Sequence, residues 1–160
     1  MIAAGTAVVF DVNVYLDYIL GDDGSWPLIP DVPPTTDNPA SDAVSLAFGG
    51  SFRLFVSPHI LRNVARVMRS VGQSDGVIDE FVAAVVDMCE FSGGSVIDPV
   101  VADHGLGDHE DNHIVALAKD AGVDALIIVT SDKDLLDVGP AWQGRLMMRP
   151  HDFVRRVVGR

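Results

Sequence analysis

The sequence predicts an α/β fold in which a mostly parallel sheet carries helices on both faces. Short apolar runs recur along the chain (Ala7-Val-Val-Phe10, Phe52-Arg-Leu-Phe-Val56, Ala125-Leu-Ile-Ile-Val129), each of strand length. Segments with helical spacing separate them, and that alternation is what β-α-β crossovers produce. The 160 residues suffice for a buried core without disulfides or a structural metal. Residues 1–160 therefore read as a single domain, with no internal repeat.

Taken in order, Ala7 to Phe10 is a buried strand ending at Asp11. Val14 to Leu20 keeps helical spacing and stops at Gly21. Five of the nine prolines (Pro27, Pro30, Pro33, Pro34 and Pro39) then make 22–39 a Pro-rich loop, long for a compact domain. Trp26, Leu28 and Ile29 within it pack back onto the domain or form a docking lip. Ala40 to Phe48 reads as a helix and Phe52 to Val56 as a strand. Pro58 opens the next helix, where its missing N–H costs nothing, behind Ser57 as cap, and this helix runs to Ser70. Asp75 to Phe91 is another helix, opened by Ser74 or Asp75, and Ser95 to Ile97 is a weak strand. Asp108 to Ala121 reads as a helix closed by Gly122. After the strand at Ala125–Val129 come a short helix from Asp132, a strand from Arg145 to Met148 and a last helix from Pro150.

The formal charge is −12, and 20 of the 23 acids are Asp. Asp is a poor helix former that favours caps, turns and metal sites, so this bias points to loops and strand ends. The charge argues against a protein that passively coats nucleic acid or lies on membranes through basic residues. The one cysteine, Cys89, sits in an apolar run and reads as a buried thiol, which suits a reducing compartment. No signal-peptide layout is evident at Met1–Thr6, and no apolar run approaches the roughly 20 residues that span a bilayer. The expectation is a cytoplasmic protein without membrane contact. Nucleotide-binding and serine-hydrolase motifs (a Walker loop, G-x-G-x-x-G, G-x-S-x-G) are absent.

In an open parallel sheet, ligands bind outside the carboxyl ends of the strands. Asp11 directly follows the first strand. Asp132 follows the strongest one through Thr130 and Ser131, with Asp134 two residues on. Asp108 and Asp111, three apart at a helix start, project from one side of its first turn. Each has a plain alternative: Asp108 and Asp132 as caps, Asp111 within a capping box, Asp11 opening a turn. Gathered together, such acids cannot all ionise without a cation. An all-oxygen donor set selects Mg²⁺ or Mn²⁺, which suits phosphoryl chemistry.

These residues resemble a family. Val8-Val-Phe-Asp-Val-Asn-Val-Tyr-Leu16 is similar to the opening of PIN-domain ribonucleases, an apolar strand followed by Asp-x-Asn. Asp108-His-Glu-Asp-Asn-His-Ile-Val-Ala-Leu-Ala118 is similar to their Asp-x-x-Asp helix, and Ile128-Val-Thr-Ser-Asp-Lys-Asp-Leu-Leu136 to their Val-Thr-x-Asp-x-Asp-Leu-Leu segment. Ser57-Pro-His-Ile-Leu61 and Pro150-His-Asp-Phe153 add two further landmarks. The resemblance implies a three-layer α/β/α sandwich and Mg²⁺- or Mn²⁺-dependent cleavage of single-stranded RNA. It also implies the setting of VapC-like toxins, which are held inactive by a small antitoxin protein and often form homodimers. Carried over, Asp11, Asp111 and Asp132 are metal ligands, and Asp108 a further catalytic or metal-binding acid. Asp134 supports them, while Asn13 and Thr130 orient them. One position departs: Asn63 stands where the family supplies Glu, and an amide oxygen brings no charge to a cation.

Three other readings stay open. His109-Glu-Asp-Asn-His113 fits the zinc-protease pattern H-E-x-x-H, without a later third ligand. Phe10-Asp-Val-Asn and Gly107-Asp-His-Glu-Asp-Asn echo haloacid-dehalogenase-like phosphatases, although Asn13 stands where an acid is needed. With Asn63 in place, the chain also reads as a PIN-fold module that binds without cutting. The nine Arg fall in two zones, and Arg62, Arg66 and Arg69 share one helix face. That face is either solvated and paired with Asp, or contacts RNA phosphates or an acidic partner segment.

Overall fold

The computed structural model describes residues 2–21, 37–102 and 105–159. Over them the chain forms β1 (Ala7–Phe10), α1 (Val12–Leu20), α2 (Pro39–Phe48), β2 (Arg53–Phe55), α3 (Pro58–Ser70) and α4 (Asp75–Phe91). It continues as α5 (His109–Lys119), β3 (Ile127–Val129), α6 (Lys133–Asp137), β4 (Ala141–Trp142), β5 (Arg145–Met148) and α7 (Pro150–Val158). The strands make one sheet in the order β2-β1-β3-β5-β4, parallel except for β4, which runs antiparallel to β5. Every residue of β1 and β3 is buried. Since successive side chains point to opposite faces, both faces of the sheet centre are covered, which makes the fold a three-layer α/β/α sandwich.

Local signals explain the helices. Ser57 Oγ accepts from the Ile60 N–H at 3.2 Å ahead of Pro58, and Ile60, Val64 and Met68 then bury one stripe of α3. Ser74 caps α4 in the same way through the Val77 N–H. In the core, the Phe10 ring lies 5.9 Å from Tyr15 of α1, 5.7 Å from Phe52 and 5.9 Å from Phe153 of α7. Contacts of this kind fix the end of β1 relative to the helices. None of the described helices is long and apolar enough to cross a membrane.

Several boundaries differ from the sequence expectation. The loop 22–39 ends early, because Asn38 caps α2 through the Ala40 N–H and Pro39 is the first helical residue. Asn38 Nδ2 also donates to the Asp17 carbonyl at 2.8 Å. Trp26, Leu28 and Ile29 lie outside the described residues. Helix α5 stops at Lys119, since Asp120 turns extended (φ −55°, ψ 136°) before Gly122 is reached. The expected strand at Ser95–Ile97 is reduced to a single bridge between Val56 and Val96. Strand β3 starts at Ile127 rather than Ala125, whose N–H instead bonds to Ala118 of α5. Strand β4 has two residues, too few for a periodicity to show. It joins β5 through Gln143 and Gly144, both at positive φ, as a two-residue hairpin loop requires.

Gly94 follows α4 and lies against β2, where an added Cβ would fall 1.8 Å from the Leu54 carbonyl oxygen. Gly94→Ala therefore has to push two backbones apart. The expected loss is about 1–3 kcal/mol or more, read as a lower urea midpoint. An unchanged midpoint would show that the exit of α4 does not pack on β2.

Candidate functional site

The strand order reverses at β1, which pairs with β2 on one side and β3 on the other. The carboxyl ends of β1 and β3 thus form the edge where such sheets open a crevice. Asp11 leaves β1 there, and Thr130, Ser131 and Asp132 leave β3. A hydrogen-bond network joins the two ends. Asp11 Oδ1 accepts from the Val12 N–H at 2.7 Å, while its Oδ2 accepts from Thr130 Oγ1 at 2.8 Å and Asn13 Nδ2 at 3.1 Å. Thr130 Oγ1 in turn accepts from the Asp132 N–H at 2.9 Å, and Asn13 Oδ1 from the Ser131 N–H at 3.1 Å. Asn13 and Thr130 thus hold Asp11 and the turn leading to Asp132 through hydrogen bonds.

Asp11, Asp111 and Asp132 line one crevice with Asn13, Asn63 and Arg66. Asp111 comes from the first turn of α5 and is 5% exposed; Asp11 is 8% exposed. Burial pushes both carboxyls up. For Asp11 the hydrogen bonds from Thr130, Val12 and Asn13 oppose the rise, and Asp132 adds to it. For Asp111 the charges of Asp132, Asp108 and Asp11 add to burial and carry it from 3.8 to about 7. Asp108, His109 and Asp134 line a neighbouring hollow that shares Asp111 with the crevice. Asp108 and Asp132 also cap their helices, each through Oδ1, on the N–H groups of Glu110 and Asp134 at 2.8 and 2.9 Å.

Asn63 faces the crevice from α3, and its surroundings were not legible in the sequence. Its Nδ2 lies 3.0 Å from Glu110 Oε2, which also meets His59 Nε2 at 2.6 Å. Burial is the largest single influence on the Glu110 carboxyl and raises it, but the hydrogen bonds and charges of His59, Asn63 and His113 together outweigh it and hold the group below its usual range. Position 63 is thus an amide, yet a carboxylate from α5 rests against it. Of the basic face, Arg66 lines the crevice, whereas Arg69 pairs with Asp75 at 3.4 Å and Arg62 is exposed. In the second zone, Arg145 pairs with Asp124 at 3.0 Å. Arg149, Arg155 and Arg156 line a separate hollow beside α6 and α7.

The donor set fits a hard divalent cation: it is all oxygen, and its members raise one another's affinity for protons as acids awaiting a counter-charge do. Among the described residues no three His, Cys, Asp or Glu side chains are already grouped around one ion position.

Without a cation, folded Asp111 retains a proton that the unfolded chain has lost between about pH 4 and pH 7. Its contribution to stability is therefore present at the acid end of that window and lost as pH rises through about 7. In EDTA the urea midpoint of the wild type is expected to fall more steeply across that window than that of Asp111→Asn. Parallel profiles for the two proteins would show that Asp111 titrates normally.

Against known proteins, a family model described as PIN domain matches residues 7–134. No curated protein and no solved structure matches the chain. PIN domains are generally nucleases. The match begins with the strand that carries Asp11 and ends on Asp134, taking in about four-fifths of the chain and the whole carboxylate region, and the chain therefore belongs to the PIN domain family.

Proposed function

We propose that this PIN domain is a Mg²⁺- or Mn²⁺-dependent endoribonuclease that cleaves single-stranded or loop RNA, and that it is the toxin of a toxin–antitoxin pair. The observation that supports the reading best is the crowding of Asp11, Asp111 and Asp132 at the sheet's carboxyl edge. When bound there, the cation would polarise the phosphate and lower the pKa of the attacking water. Asp11, held by Thr130 and Asn13, presents a fixed carboxylate to it. Asp132 is positioned by its own capping bond, and Asp111, once ionised, would add a further carboxylate to the cation. Asp108 and Asp134 add negative charge from the adjoining hollow. Arg66, exposed at the crevice, is placed to meet a backbone phosphate, with Arg62 beside it on the same helix face. The VapC-like role, a small antitoxin partner, a homodimer and a cytoplasmic setting rest on the ordered motif set alone.

Cleavage of single-stranded and hairpin RNAs with Mn²⁺, comparing wild type with Asp11→Ala, tests the reading. Metal-dependent cleavage by the wild type, abolished in the variant, is expected. Identical traces would leave the second reading, a PIN-fold module that binds without cutting, which the amide at Asn63 favours. Asn63→Glu is expected to tighten Mg²⁺ binding in calorimetry. It also brings a second carboxylate against Glu110, lowering the ion-free thermal midpoint. Unchanged or weaker affinity would remove position 63 from the metal site.

A further inference from the structure

Two histidines on the exposed side of α5 are arranged in a way that the carboxylate crevice does not use. His109 and His113 are one helical turn apart, and their Nε2 atoms lie 3.1 Å from each other with the rings nearly perpendicular (86°). At the usual Zn–N length of about 2.0–2.1 Å, a 3.1 Å separation subtends roughly 95–102° at a shared ion, close to a tetrahedral edge. His113 is braced on its other side, where the His59 ring stacks on it at 3.6 Å and an interplanar angle of 7°. His59 is itself fixed by Glu110 at 2.6 Å. That brace limits the rotamers of His113, so a second imidazole meets the first with little ordering left to do.

We infer that His109 and His113 form a second cation site, a two-histidine chelate for a borderline transition ion such as Zn²⁺, Co²⁺ or Ni²⁺, separate from the oxygen-lined crevice. Imidazole nitrogen selects those ions over Mg²⁺, whereas the carboxylates of the crevice prefer the hard ones. No third His, Cys, Asp or Glu among the described residues is already grouped with the pair. The first turn of α5 is the positive end of its helix, but Asp108, Glu110 and Asp111 stand in or beside that turn and offset the repulsion. The pattern His109-Glu-Asp-Asn-His113 thus binds an ion without acting as a protease site, since Glu110 is turned onto His59 and Asn63. The inference does not depend on the nuclease reading.

The test uses the untagged, chelator-stripped full chain. Co²⁺ is titrated by visible absorption and Zn²⁺ by calorimetry, both in a large excess of Mg²⁺. One equivalent of either ion is expected to bind, with affinity reduced at least about tenfold in His109→Gln and in His113→Gln and retained in Asp11→Ala. Circular dichroism of the variants checks that they fold, which the exposure of His109 favours. Wild-type affinity in both histidine variants would overturn the site. So would loss of the ion in Asp11→Ala, which would put it in the carboxylate crevice.

Discussion

The hydrogen bond from Thr130 to Asp11 is the contact on which the arrangement of the site depends. It ties the carboxyl end of β3 to that of β1 through a side chain that is almost completely buried. A buried carboxylate is costly unless its oxygens are met by donors. Three donors meet this one, and hydrogen bonds to charged groups contribute about 1.5–3 kcal/mol each. Asn13 reinforces the tie by spanning from Asp11 to the Ser131 N–H. The two strand ends are thereby held in one register, and Asp132 follows from it, because its own N–H bonds to the same Thr130 oxygen.

The fold also bears on two readings that the sequence left open. In the sequence Asp108 and Asp132 read either as helix caps or as members of a charged site, and Asp11 either as opening a turn or as part of that site. In the fold they are caps: each accepts a helix N–H on one oxygen, and Asp11 meets Thr130 and Asn13 with the other. A capping bond pins the carboxylate at the start of the helix, so capping is how the acids are positioned. The preponderance of Asp over Glu fits this geometry, since the shorter side chain suits a cap.

What the sequence displayed was whatever local pattern governs. The strands that lead to Asp11 and Asp132 stood out as apolar runs, and α3 and α4 because Ser57, Pro58 and Ser74 mark their starts. The sequence pointed to Gly122 as the stop of α5, whereas the helix ends at Lys119, because the chain turns at Asp120 and returns to bond Ala118. The His59–Asn63–Glu110 cluster was hidden for a different reason. It arises where α3 meets α5, 47 residues apart, and no spacing rule reaches across that distance. Similarly, helical periodicity put Arg62, Arg66 and Arg69 on one face, but it could not assign Arg69 to Asp75.

Asp111 belongs to both hollows at once, forming the wall between the crevice of Asp11 and Asp132 and the hollow of Asp108 and Asp134. A shared wall of this kind is a point of thermodynamic linkage. Were cations to enter both hollows, each would meet the same carboxyl, and any effect of one on the other would be equal in both directions. Two hollows that look independent by position thus share one buried carboxyl.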